Sequence, residues 1–217
     1  MRLTQVLMGL GLAAAALPGC RADSGPDDYQ SQEQLRLDAE PPPIDADIEP
    51  GERRFNLGSF YEGPADEMMV IDGATVHFYI YEDTFSQSVE EIDHVEGAVA
   101  DRLVTRGGPW WGGGIHYDVP QDLSGWATLN ISLKSNDASQ AGFKIAMNNP
   151  GDVQTVIDLA DYGYRADGQW HRLEIPLSDY ADAGADLTQV TAPLVFAGPA
   201  GAAGEGVLID GVFLSSL

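Results

Sequence analysis

From Phe55 onward, apolar and polar residues alternate in short runs that recur about every ten residues, divided by Gly, Pro, Asn and Asp. Such a period of two marks half-buried β-strands, whose successive side chains point to opposite faces. Thr75–Tyr81 is a strand by its β-branched and aromatic content. Between Trp126 and Lys134, Ala127, Leu129, Ile131 and Leu133 face one way, and Thr128, Asn130, Ser132 and Lys134 the other. Phe143, Ile145 and Met147 alternate with Lys144 and Asn148 ahead of the turn Asn149-Pro150-Gly151-Asp152. Val153–Leu159, His171–Leu177, Leu194–Ala197 and Val207–Leu214 complete the set of predicted strands. No stretch holds a sustained helical period, and the one candidate short helix lies near Phe85–Ile92. Short, regular strands with one apolar face each predict an all-β fold, an antiparallel two-sheet β-sandwich of the jelly-roll kind. A domain of about 150 residues buries roughly 70% of its unfolded surface, enough for a single core.

The first residues follow a different pattern. Met1-Arg2 is a short basic start, and Val6–Leu17 is an apolar run too short for a bilayer span, which needs about 20 residues. It suits the core of a signal peptide. The run closes with Leu17-Pro18-Gly19-Cys20, which resembles a bacterial lipobox, although Pro18 is an unusual occupant of its slot. That resemblance implies a signal peptide over 1–19 and a diacylated Cys20 at the mature N-terminus, palmitate among its chains. Each buried methylene of such a chain contributes about 0.8 kcal/mol, so two chains anchor durably. The alternatives are an ordinary secretory signal that happens to contain a Cys, or a short uncleaved anchor. Arg21 stands where an Asp would resemble an inner-membrane retention signal, which points to the outer membrane of the cell envelope. Residues 20–54 are Pro-rich, acidic and nearly free of aromatics, with Pro41-Pro42-Pro43 and then Asp45, Asp47 and Glu49. They read as a solvated, extended tether, or else as a partner-binding tail. The sandwich domain is expected over 55–217.

Composition narrows the partners. The chain of 217 residues has 11 Lys+Arg against 34 Asp+Glu, a formal net charge of −23. Phosphate backbones demand clustered Lys and Arg, so nucleic acid is excluded as a partner. An anionic membrane surface is disfavoured for the folded part, leaving membrane attachment to the lipid anchor alone. The single Cys rules out an intramolecular disulfide framework and a Cys-based zinc site.

The C-terminal half contains Gly168-Gln169-Trp170-His171-Arg172-Leu173-Glu174-Ile175-Pro176-Leu177-Ser178-Asp179-Tyr180, then Ala183-Gly184-Ala185-Asp186-Leu187 and Ile209-Asp210-Gly211-Val212. These runs resemble the galactose-binding-like jelly rolls used as carbohydrate-binding modules, above all the module of exo-acting glucosidases of the ExoP type. Asp122-Leu123-Ser124-Gly125-Trp126 and Tyr81-Glu82-Asp83 resemble the same group, so the likeness spans about residues 75–217. The resemblance implies a non-catalytic module. It also implies that Trp126 and Trp170 are scaffold, with Pro176 placed where a ladder hydrogen bond can be spared.

Catalytic patterns are weak. His77, His94, His116 and His171 sit in no nucleophile context, and with 34 acids coincidental carboxylate pairs are guaranteed. Asp93-His94, in an acidic stretch, is either a solvated loop or a metal site. Sugar binding needs flat aromatic faces and planar polar groups. Trp110-Trp111-Gly112-Gly113-Gly114 supplies the strongest candidates, because adjacent Trp residues in a strand point to opposite faces and at most one is core. Tyr162 and Tyr164 in a polar loop, and Lys144 and Asn148 away from the apolar pattern, join Trp110 and Trp111 as candidate ligand contacts. Asp210 falls in an apolar last strand, where an ionised carboxylate is costly unless paired, hydrogen-bonded or metal-bound. Leu208, Val212 and Leu214 are expected on its face. The resemblance implies a structural calcium ion between first and last strands, with Glu82 and Asp83 as partners of Asp210. Backbone N–H groups at a bulge are the alternative.

The expected function is non-catalytic binding of an oligo- or polysaccharide, β-glucan-like, by an envelope-anchored lipoprotein. The competing class is an assembly protein that holds a protein partner on the sandwich face. An exposed aromatic flooring a cleft favours sugar, and a flat apolar patch favours protein.

Overall fold

The computed structural model describes residues 49–70, 75–151 and 153–217. The signal peptide, Cys20 and most of the tether lie outside them. Among the described residues the chain forms β1 (Arg54–Asn56), β2 (Glu67–Met68), β3 (Val76–Ile80), β4 (Phe85–Glu90), β5 (Ala100–Thr105), β6 (Gly108–Tyr117), β7 (Thr128–Lys134), β8 (Lys144–Asn149), β9 (Val153–Asp158), β10 (His171–Pro176), α1 (Leu177–Asp182), β11 (Ala192–Gly201) and β12 (Gly206–Ser215). One sheet runs β3-β6-β11-β8-β9, and all its pairings are antiparallel. The other runs β10-β7-β12-β1-β2, with β5 added to the first half of β12 and β4 added to β5. The inward rows of both sheets meet in a core that includes Phe85, Trp111, Ile115, Leu129, Ile131, Phe143, Leu173, Phe196 and Ile209. This is the expected all-β sandwich, built by period-two alternation that turns one row of each strand inward.

Two expectations about local structure change. Phe85–Glu90 is a strand rather than a helix, because residues Phe85 to Glu90 pair with Thr105 to Ala100. The polar Ser86, Gln87 and Ser88 favour neither state, and cross-strand pairing decides. The short helix forms instead at Leu177–Asp182, directly after Pro176 ends edge strand β10, and it buries Leu177 and Tyr180 on one side. The second change is in β12. Asp210 pairs with Ser132 but Phe213 pairs with Asn130, so one residue is extra around Gly211. Gly211 takes φ +58, the left-handed bulge conformation. The bulge sends Val212 and Leu214 into the core and brings Phe213 onto Asp210's side.

The end of the expected tether is part of the fold. Arg54 is 2% exposed, its Nε donates to Glu52 Oε1 at 2.8 Å, and its guanidinium lies 4.4 Å over the Phe213 ring. Arg53 lies 5.0 Å over Trp126, which is buried against Phe55 as expected of scaffold.

Candidate functional site

The outer face of the β3-β6-β11-β8-β9 sheet is assembled by register. Tyr79, Gly114, Val195, Ala146 and Val156 stand side by side across its five strands. The next row places Gly112, Ala197, Lys144 and Asp158 together, and beyond it Trp110 pairs with Pro199. Gly112, Gly114, Ala146 and Ala197 carry almost no side chain, so the middle of the face is a low floor. At ~4.8 Å between strands, that floor is roughly 10 Å wide from β6 to β8.

Aromatic rings stand along one flank. Trp110 is 41% exposed and Tyr81 37%. Their ring centroids are 6.0 Å apart, Tyr81 lies 4.9 Å from Tyr79, and Tyr79 lies 6.5 Å from His116. Tyr79 and Tyr81 share a hydrogen bond of 3.2 Å between hydroxyls. Burial first, then that bond, holds the Tyr79 phenol well above its ordinary range, so it stays neutral. A Cβ on Gly114 would lie 2.4 Å from the Leu194 carbonyl oxygen and 2.9 Å from Val195 Cα, so the glycine is what lets β11 approach β6 there, and the Tyr79 hydroxyl lies 3.0 Å from the same point. Tyr81 is positioned by a tight turn. Glu82 and Asp83 both take positive φ, Thr84 Oγ1 donates to the Tyr81 carbonyl at 2.8 Å, and Gly112 N donates to Thr84 Oγ1 at 3.2 Å. The opposite flank is polar: Lys144 Nζ is 3.8 Å from Asp158 Oδ2, and Gln154 Nε2 donates to Asn148 Oδ1 at 3.1 Å.

The adjacent Trp residues divide as alternation requires. Trp110 lies on the outer face and Trp111 is fully buried against Phe85, Phe143 and Phe196, with Nε1 donating to Gln140 Oε1 at 3.1 Å. Trp111 therefore offers no face to a ligand. Tyr164 is likewise buried, against Phe143, and Tyr162 is half-buried with its hydroxyl donating to Asp179 Oδ2 at 2.6 Å. Neither Tyr162 nor Tyr164 stands on the register rows of the Trp110 face; Lys144 and Asn148 lie on its polar flank. Tyr79, Tyr81 and Ala197 are members that the Trp-centred reading passed over, whereas Gly112 and Gly114 belong to the run it singled out. Continuing the alternation His77, Tyr79, Tyr81 out of β3 is the signal that finds the two tyrosines.

The outer face of the other sheet is covered around Asp210. Asp210 is 2% exposed, and its carboxylate accepts from Val95 N at 2.7 Å, Glu96 N at 3.1 Å and Gly211 N at 2.7 Å. Burial pushes it up to about 6 against the pull of those three donors. Glu96 is 1% exposed, and Oε1 accepts from Glu62 N at 2.6 Å. Burial, and the nearby Asp210 charge, push Glu96 up to about 7. The structure does not bring Glu82 and Asp83 to Asp210. Phe85 pairs with Thr105 and Ile209 with Asp101, so the two ends lie roughly 13 Å apart along β5. Asp83 instead meets Arg106 at 2.9 Å. Among the described residues no three His, Cys, Asp or Glu form a group suited to a metal ion. In the acidic stretch, Asp93 accepts from Lys134 Nζ at 2.6 Å and from Trp170 Nε1 at 2.7 Å. That bond holds Trp170 half-exposed at the surface of this face, not in the core where scaffold packing was expected.

Comparison with known proteins agrees with the architecture. Residues 111–204 match the Exop_C family, a galactose-binding domain-like family. No curated protein matches the sequence. Among solved structures, the family 30 carbohydrate-binding module of the cellulosomal cellulase Cel9D-Cel44B of Clostridium thermocellum superposes with a TM-score of 0.51 at 18% identity, covering 65% of this chain and 91% of that one. A further family 30 carbohydrate-binding module gives 0.50 at 19% identity over 75% of this chain and 97% of that one. The exo-1,3/1,4-β-glucanase ExoP of a Pseudoalteromonas species gives 0.46 at 18% identity, over 71% of this chain and 18% of that one. The fold is a galactose-binding-like β-sandwich.

Proposed function

We propose that this galactose-binding-like sandwich binds a linear β-linked glucan, without catalysis, on the outer face of the β3-β6-β11-β8-β9 sheet. The observation that carries the reading is the exposed Trp110 beside Tyr81, flanking the exposed Ala197 in the low middle of the sheet. A β-glucopyranose carries equatorial hydroxyls and a flat C–H face, so its ring lies against an aromatic while its edges seek polar partners. Lys144, Asp158, Asn148 and Gln154 stand where those edges would reach. A face with an exposed aromatic flank and a polar flank suits sugar better than the flat apolar patch a protein partner would need. Such a shallow face leaves much of the sugar in water, and affinities between micromolar and millimolar are expected.

The test is electrophoresis of the protein through gels containing mixed-linkage β-glucan. The parent is retarded, and Trp110→Ala migrates as in a glucan-free gel, a loss of about tenfold or more in affinity corresponding to ~1.4 kcal/mol. Equal retardation of both proteins, or none of the parent, defeats the reading.

The same proposal places the domain at the cell envelope, anchored in the outer membrane through lipid on Cys20 and held off the surface by the acidic tether. It rests on Leu17-Pro18-Gly19-Cys20 after the apolar run. Cys20→Ser then blocks processing or releases the protein from the membrane fraction. Unchanged mass and unchanged membrane association in that variant refute the anchor.

A further inference from the structure

We infer that the glycan path on the open face runs on from Trp110 along β3 and β6 to a polar corner formed by His77, His116 and Asp118, so that the site takes a chain longer than a disaccharide. This rests on the glucan-binding reading above and assigns the far end of the same site. Alternation along β6 puts Trp110, Gly112, Gly114 and His116 on the outer side, because Trp111, Ile115 and Tyr117 are in the core. On β3, Val76 is in the core and Phe78 packs against it, which turns His77 and Tyr79 outward. His77 stands directly opposite His116 across the strand pair. Asp118 N donates to the Thr75 carbonyl at 3.0 Å, which carries the ladder one residue further and keeps Asp118 on the side of His116. His77, His116 and Asp118 are all exposed. His77 Nε2 lies 3.0 Å from Asp118 Oδ1, so the imidazole is oriented before any ligand arrives. Preset groups lower the ordering cost of binding.

Rings lead from one end to the other. Trp110 to Tyr81 is 6.0 Å between centroids, Tyr81 to Tyr79 is 4.9 Å, and Tyr79 to His116 is 6.5 Å. The stretch of β6 from Trp110 to His116 is roughly 20 Å long, more than a disaccharide covers. The polar flank of Lys144 and Asn148 follows β8 in the same line, so both walls direct a chain along the strands. The two ends differ in kind. Trp110 and Tyr81 present ring faces to the flat C–H side of a sugar. The corner presents planar hydrogen-bonding groups: a neutral imidazole has one donor and one acceptor, and a carboxylate accepts only. Sugar hydroxyls donate and accept, and so match both. An anionic chain would bring its charge against Asp118 in a protein of net charge −23, so an uncharged chain is the one that fits.

Cellobiose and a mixed-linkage β-glucan tetrasaccharide, each titrated into the full-length protein and followed by amide and imidazole proton shifts, test the extension. The parent is expected to bind the tetrasaccharide about tenfold or more tighter than cellobiose. His77→Ala and His116→Ala each weaken the tetrasaccharide about fivefold or more, as loss of hydrogen bonds to one sugar unit would. Cellobiose, held at the Trp110 end, keeps its affinity within about twofold in both variants, which also reports that they fold. Tetrasaccharide affinity unchanged in both His variants, or no tighter than that of cellobiose in the parent, overturns the extended path and leaves the Trp110 reading standing. Saturable binding of neither probe by the parent overturns both.

Discussion

On the outside of the β3-β6-β11-β8-β9 sheet, Ala197 and Trp110 lie open, whereas Tyr61, Glu62 and the 93–97 loop roof the outside of the other sheet around Phe213 and Asp210. The roofed face is the polar one. Arg54, Asn56, Glu96, Asn130, Ser132 and Asp210 all become buried there, each held by hydrogen bonds or an ion pair to the roof or to neighbouring strands, or packed beneath the roof. The open face is the one with an exposed Trp and an almost flat floor. A chain governed only by burial of apolar area would cover the aromatic face and leave polar residues in water. The reverse arrangement costs desolvation of several polar groups and leaves Trp110 uncovered, as the proposed glycan-binding face requires.

The sharpest way to break this comparison is to exchange the roles of the two neighbouring Trp residues. Trp111→Ala removes a fully buried ring and is expected to cost about 3–5 kcal/mol, seen as a lower midpoint in denaturant. Trp110→Ala should change stability by less than about 1 kcal/mol. Comparable losses in the two variants would mean that the outer face is structural. Next in size is obstruction of the floor. Ala197 is exposed in the middle of the face, so Ala197→Arg should leave the midpoint within about 0.5 kcal/mol of the parent. Glucan affinity should fall about tenfold or more. Undiminished binding would move the ligand off the floor.

The roofed face makes a prediction in pH. Glu96 and Asp210 protonate near 7 and 6 in the folded chain, against 4.5 and 3.8 for unperturbed carboxyls. The unfolded chain therefore binds fewer protons across this interval, so these groups lower stability as pH rises from about 4 to about 7 and then level off. Glu96→Gln keeps the acceptor for Glu62 N and removes the charge. It should match the parent at pH 4 and exceed it by about 1–2 kcal/mol at pH 8, in thermal melts at both values. A variant less stable than the parent at pH 8 would show that the Glu96 charge is well compensated.

Strand alternation made the sandwich legible before any coordinates. It also placed one Trp of the 110–111 pair outside, because adjacent strand residues must face apart. Three features stayed hidden for physical reasons. The bulge at Gly211 shifts alternation by one residue, so Val212 and Leu214 leave Asp210's face and Phe213 joins it. Glu82 and Asp83 are near each other in sequence, but sheet pairing carries Asp210 to the far end of β5. Trp170 sits in a run that resembles scaffold, yet its Nε1 bond to Asp93 comes from a loop 77 residues away. Long-range loop contacts of that kind leave no local pattern.

The most direct measurement is to follow backbone amide chemical shifts while titrating a mixed-linkage β-glucan tetrasaccharide into the protein. The account predicts that the largest shifts fall on Gly112, Gly114, Tyr81 and Ala197, in a saturable way, and vanish in Trp110→Ala. Shifts that leave those four residues unmoved, or that persist in Trp110→Ala, would contradict it.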